Sequence, residues 1–121
     1  MADLLIVDDD PDGSEAIATY LSRAGHRVAC VPNGQEAMKA LLEGRPQAIV
    51  LDIRMPELDG MSLLEILRSY LRWSHLPVIL LSAYVTEEQI DRARELGVSH
   101  VFHKANFALK DLGAAVEQVV C

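Results

Sequence analysis

The chain predicts a doubly wound α/β sandwich: a five-stranded parallel sheet in the order 2-1-3-4-5, with five helices spread over its two faces. Two observations carry that prediction. Short runs of Val, Ile and Leu alternate with longer stretches of helical spacing, and the central runs are apolar at nearly every position, as strands covered on both faces must be. Right-handed crossovers then lay a helix over one side of the sheet at each step. A length of 121 residues fits a single domain, 1–121, that buries most of its apolar surface without a staple.

Five strands are expected at Leu4–Val7, Val28–Val31, Ala48–Ile53, Val78–Ala83 and Val101–Phe102. Three helices between them follow from Ile17, Tyr20, Leu21 and Ala24; from Ala37, Met38, Leu41 and Leu42; and from Leu63, Ile66, Leu67, Tyr70 and Leu71. Ile90, Ala93 and Leu96 mark a fourth, and Leu109, Leu112, Val116 and Val119 a fifth. Asp10 before Pro11 reads as a helix cap and first-turn proline, and Thr86 to Gln89 has capping-box spacing. Gly25, Gly44 and Gly97 fall where left-handed caps end helices, and Gly60 reads as a positive-φ residue in a loop shaped with Met55 and Pro56. Trp73 and the Leu71–Leu76 connection are expected to cover the bottom of the sheet.

A net charge of -7 disfavours nucleic acid and anionic membranes, which need clustered Lys and Arg, and favours cations or basic partners. No apolar run approaches the roughly 18 residues of a membrane span. Cys30 and Cys121 show no CxxC spacing and no signal-peptide pattern precedes Leu4, so reduced thiols and a cytoplasmic setting are expected.

The stretch "LLIVDDDPDG" drives four apolar residues into a cluster of acids. Packing like charges at the end of a buried strand raises the cost of ionising any of them, so a cation belongs nearby. In doubly wound sheets the ligand crevice lies beyond the carboxyl ends of the strands, where the winding reverses. Asp8, Asp9 and Asp10 end the first strand, Asp52 the third, Ser82 the fourth and Lys104 the fifth. Carboxylates, a hydroxyl and an ammonium converge there.

The motifs "IVDDD", "LDIRMPELDG", "ILLSA" and "FHK", in this order and spacing, resemble the receiver domains of two-component response regulators, CheY-like proteins of flavodoxin-like fold, over essentially the whole chain. The resemblance implies that Asp52 is the phosphoacceptor, that Asp8 and Asp9 with Asp52 and the backbone carbonyl of Arg54 hold a divalent cation, that Ser82 is the switch hydroxyl, and that Lys104 contacts the phosphoryl group. The chemistry agrees: an anionic carboxylate attacking an anionic phosphoryl group needs a hard cation with oxygen ligands, which is Mg²⁺, with Mn²⁺ able to substitute. The implied partners are a histidine kinase or histidine phosphotransfer protein and an output domain or partner protein, with homodimerisation through the fourth helix, fifth strand and fifth helix. By this reading the chain is a phosphoaccepting switch more than an enzyme.

Bland readings stand beside these. Asp10 reads as a cap rather than a ligand, Asp12 as a solvated helix-dipole partner, and His26 and His75 as loop residues. His100 and His103, an odd number apart, face opposite sides of a strand and cannot share a metal. The chain also departs from the family pattern. Ala105 follows Lys104 where the family has a cis proline; a cis bond there would cost roughly 2.5–4 kcal/mol, so a trans bond in a rearranged loop is expected. Val101 replaces the usual aromatic switch, which leaves the signal to the Ser82 loop, Tyr84 or the fourth helix. Arg54 and Tyr84 are expected to shield an acyl phosphate from water. Two rival readings remain: a degenerate receiver that binds partners without phosphorylation, and a haloacid dehalogenase-type hydrolase using Asp8 and Asp10.

Overall fold

The computed structural model describes residues 2–53, 59–83 and 85–120. Five parallel strands, β1 (Asp3–Val7), β2 (Arg27–Val31), β3 (Ala48–Leu51), β4 (Val78–Ser82) and β5 (His100–His103), lie in the order β2-β1-β3-β4-β5, as the alternation of strand and helix signals predicts. The helices are α1 (Pro11–Arg23), α2 (Gly34–Glu43), α3 (Gly60–Ser69), α4 (Glu87–Glu95) and α5 (Leu109–Val120), with a 3₁₀ turn over Leu71–Trp73. β3 and β4 stop before Ile53 and Ala83, because their ladders with neighbouring strands end at Leu51 and Ser82.

Alternation along each strand divides the core in two. Leu5, Val7, Ile49, Leu51, Val78 and Leu80 face α2, α3 and α4, while Leu4, Ile6, Ala48, Val50, Ile79 and Leu81 face α1 and α5. β1, β3 and β4 are buried on both faces, whereas the edge strands β2 and β5 are half-exposed. Gly113 of α5 lets α1 approach closely: a Cβ there would come within 2.9 Å of the Tyr20 ring.

Thr86 and Gln89 form the expected capping box, with reciprocal bonds of 3.1 and 3.0 Å. Gly25 and Gly97 adopt φ values of 99° and 80°, as left-handed caps require. Gly44 differs: it caps α2 in extended conformation, φ -128°, because the chain runs straight on through Arg45 and Pro46 toward β3. Gly60 also differs, since its φ is not positive; glycine is required because a Cβ would overlap the Asp52 carbonyl and lie 2.6 Å from the Ile53 Cα. Asp10 occupies the cap position of α1, yet its side chain makes no capping bond.

His26 departs from the expected loop role. It is buried where the starts of β1 and β2 meet the end of α5, accepting the Ala2 N–H at Nδ1 (3.2 Å) and standing 2.9 Å from Glu117 Oε1 at Nε2. Because Nδ1 accepts, the ring proton sits on Nε2 and is donated to Glu117. His75 and His103 are exposed, and His100 stacks on Phe102, its neighbour on the same strand face, at 6.1 Å. Trp73 is buried beneath the sheet, at the edge where the strands begin.

Candidate functional site

Parallel pairing directs the carboxyl ends of the strands to one edge, and one ladder bond beyond the strands pins the chemistry-bearing residues there. The Asp8 N–H donates to the Val31 carbonyl (3.1 Å), the Asp52 N–H to the Val7 carbonyl (2.9 Å) and the Lys104 N–H to the Ser82 carbonyl (3.0 Å). These bonds continue the ladder register of the strands by one residue, which sets Asp8, Asp52 and Lys104 side by side at that edge. From the other side, the first residue of α3 presses on the Asp52 backbone: the Gly60 N–H donates to the Ile53 carbonyl at 2.8 Å. The Asp59 carboxylate caps that helix by accepting from the Ser62 N–H.

Carboxylate oxygens of Asp8, Asp9 and Asp52 gather within 4.8 Å of one another, with Asp8 and Asp52 buried and Asp9 exposed. Lys104 closes the cluster, its Nζ lying 2.7 Å from Asp8 Oδ2 and 3.2 Å from Asp52 Oδ2. The second Asp8 oxygen, Oδ1, accepts the Asp10 N–H at 3.0 Å. Partial burial works against the Lys104 charge, but the hydrogen bond that the ammonium donates to Asp8 and the negative charges of Asp52 and Asp8 outweigh it, and the ammonium is held above its ordinary pKa. Three acids against one ammonium leave the site with an excess of negative charge that a hard cation would neutralise. The donor set, all oxygen and partly solvent-open, fits Mg²⁺ or Mn²⁺ and suits neither a thiolate nor an imidazole metal site.

Among the expected site residues, Asp8, Asp9, Asp52 and Lys104 are therefore brought together, and Ser82 is buried at the tip of the adjoining strand. Asp10 stays outside the carboxylate cluster, its Oδ2 lying over Gly13, and Asp12 is exposed in the first turn of α1. The Asp8–Asp10 pairing needed by a dehalogenase-type hydrolase is thus absent from the cluster. Arg54, Met55, Pro56, Tyr84 and Cys121 lie outside the described residues. No described peptide bond is cis, so Lys104 reaches the carboxylates across the expected trans bond to Ala105.

Residues 4–117 match the response regulator receiver domain family. The chain belongs to that family. This receiver domain is 35% identical to the transcriptional regulatory protein GltR of Pseudomonas aeruginosa over 97% of its own length and 48% of GltR. It spans about half the length of that and other curated relatives it matches. Among solved structures, the signal receiver domain of a signal transduction histidine kinase from Syntrophus aciditrophicus superposes with a TM-score of 0.89 at 30% identity, covering 99% of this chain and 90% of that one. The Mn²⁺-bound form of the response regulator Rcp1 superposes with a TM-score of 0.82 at 25% identity, covering 98% and 91%. Receiver domains of this family serve two-component signalling.

Two contributors to the site were not visible as such in the sequence. Gly60 positions Asp52 by its lack of a side chain, which only the approach of α3 to the strand tip explains. Cys30 lies in a cleft shared with Asp8 and Asp9, its thiol pushed up by partial desolvation and by the Asp8 charge, against a side-chain hydrogen bond with Ser14 that pulls it down. The register gives the signal for Cys30, since it precedes Val31, whose carbonyl holds Asp8.

Proposed function

We propose that Asp52 accepts a phosphoryl group from the phosphohistidine of a histidine kinase or histidine phosphotransfer protein in the cytoplasm. The observation that carries this reading is the gathering of the Asp8, Asp9 and Asp52 carboxylates, with the Lys104 ammonium against Asp8 and Asp52, at the edge where the strands end. An Asp52 carboxylate oxygen attacks phosphorus, the phosphorus–nitrogen bond to the donor imidazole breaks, and its electron pair returns to that imidazole. Asp8 and Asp9, with Asp52 and the Arg54 carbonyl, hold the divalent ion. When bound, Mg²⁺ neutralises charge on the phosphoryl oxygens in the in-line transition state, and Mn²⁺ can replace it, as the Mn²⁺-bound relative supports.

Lys104 supplies a second positive charge. Its ammonium keeps Asp52 ionised before transfer and turns to the phosphoryl oxygens afterwards. Ser82 offers its hydroxyl to the same oxygens, drawing in the connection to α4. Val101 is half-buried against the core, and a valine is too short to swing between buried and exposed states, so the change passes through the Ser82 loop, Tyr84 or α4. The altered surface of α4, β5 and α5 then meets an output domain, a partner protein or a second copy. The chain acts as a switch that is itself modified, with no substrate turned over beyond its own phosphorylation and dephosphorylation.

The test offers Mg²⁺ and phosphoramidate and measures intact mass. One added phosphoryl group is expected on the wild type and none on Asp52→Asn or in excess chelator. Equal labelling of both proteins would place the acceptor elsewhere, and no labelling of either would leave a phosphorylation-independent binding module.

A further inference from the structure

At the opposite edge of the sheet, where the strands begin, the Arg45–Pro46 connection into β3 and the Leu71–Leu76 connection into β4 enclose a groove. Leu71, Arg72, Trp73 and His75 line it together with Arg45 and Pro46. Leu71 is 91% exposed, the extreme among the large apolar residues described, and Tyr70 beside it is 53% exposed. Both belong to one short turn whose aromatic residues are held in place: Tyr70 packs edge-on to Trp73 at 5.4 Å, and the Arg72 guanidinium stands 5.5 Å from the Trp73 ring centre. No acid lines the groove, and among the described residues neither Arg45 nor Arg72 has an ion-pair partner. In a chain of net charge -7, a spot whose ionisable groups are all basic stands against the surrounding field.

We propose that this groove is a docking site for an acidic polypeptide segment that sets an apolar side chain against Leu71 and Trp73 and carboxylates against Arg45 and Arg72. Charge complementarity selects the occupant. Two permanently charged guanidiniums flanking an apolar surface match a carboxylate-flanked apolar residue, and burying Leu71 removes from water the most exposed large apolar side chain among the described residues. An anionic bilayer is extended and would face the acidic remainder of the domain as well as the groove, whereas a short segment meets the basic groove alone. The groove and the carboxylate cluster occupy opposite ends of the strands, so a segment held here leaves Asp52 open to its phosphodonor. The surface is a tether indifferent to phosphorylation, which separates it from the switching face.

Trp73 is the chain's single tryptophan, so its emission reports directly on this groove. The probe is a pool of short blocked peptides with apolar residues (Leu, Ile, Val or Met) flanked on both sides by glutamates, titrated into the full chain. A saturable change in Trp73 emission is expected that weakens with added salt, falls about tenfold or more in affinity for Arg72→Glu and for Arg45→Glu, and falls similarly for Leu71→Ser. Those exposed substitutions leave phosphoramidate labelling of Asp52 at the wild-type level, which confirms an intact fold. Asp52→Asn binds the peptides like the wild type, so failure of the phosphorylation reading leaves this result standing. No saturable change, equal binding of a lysine-flanked pool, or equal binding of an acidic pool with serines in place of the apolar residues overturns the proposal. An emission change produced by phosphatidylserine vesicles or by raising protein concentration, and absent with the acidic pool, assigns the groove to a bilayer or to a second copy and overturns it as well.

Discussion

The ammonium of Lys104 lies 2.7 Å from Oδ2 of Asp8, a buried carboxylate whose other oxygen is taken by the Asp10 N–H. Asp8 is thereby fixed at both oxygens, one by backbone and one by a side chain from the far edge of the sheet. Lys104 stands in for the positive charge that the acids require when no metal is bound.

Removing that charge has a defined consequence. Lys104→Met leaves Asp8 and Asp52 buried and facing each other without a cation, and we expect a loss of about 1–3 kcal/mol in urea unfolding without Mg²⁺. Added Mg²⁺ should restore more stability to the variant than to the wild type, because the ion replaces the missing charge. The pH dependence has a fixed sign. With its folded pKa raised, Lys104 contributes fully below its unfolded value of about 10.4, and the contribution fades as pH rises through the folded value. The stability gap between wild type and Lys104→Met should therefore stay flat from neutral to mildly alkaline pH and close only in strong alkali.

Divalent ions should stabilise the folded chain by mass action, by about 2.7 kcal/mol at a hundredfold excess over Kd. Asp9 is the exposed member of the cluster and makes no ion pair with Lys104, so Asp9→Ala isolates the metal's contribution. Thermal unfolding of that variant should be close to wild type without metal and should respond to Mg²⁺ far less.

Two glycines separate backbone strain from site geometry. Gly60→Ala forces a methyl into the Asp52 carbonyl, and we expect a cost of about 1–3 kcal/mol together with slower phosphoramidate labelling. Gly25→Ala meets open space but sits at φ 99°, so it should cost about 1–2 kcal/mol and leave labelling unchanged. Equal labelling rates in the two variants would show that α3 does not position Asp52.

The capping box of α4 is a third independent element. Thr86→Ala removes the bond to the Gln89 N–H and should cost about 1 kcal/mol, read by urea unfolding. Hydrogen exchange should speed up first in the opening turn of α4, since the loss is local.

Strand order and the convergence of the acids with Lys104 were legible in the sequence because they depend on local apolar runs and a general crossover rule. What escaped depends on contacts distant in sequence. His26 reads as a loop residue until Ala2 and Glu117, 24 and 91 positions away, are seen to meet it. Gly60 was recognisable as a special residue, but its reason is the Asp52 carbonyl above it and not a turn dihedral. Gly44 shows the same limit: a glycine after a helix suggests a left-handed cap, and here the chain instead leaves α2 in extended conformation toward β3. Asp10 holds the cap position by its backbone, while its carboxylate settles over Gly13.

The central claim is that the Asp52 carboxylate becomes an acyl phosphate with Mg²⁺ present. Borohydride reduces an acyl phosphate to an alcohol and leaves free carboxylates intact, so it marks the acceptor residue permanently. After labelling with Mg²⁺ and phosphoramidate, reduction and peptide mass mapping, homoserine should be found at position 52 and should vanish when Mg²⁺ is chelated before labelling. Homoserine at position 8 or 9, or none at any position in a chain that carries the phosphoryl mass, would contradict the account.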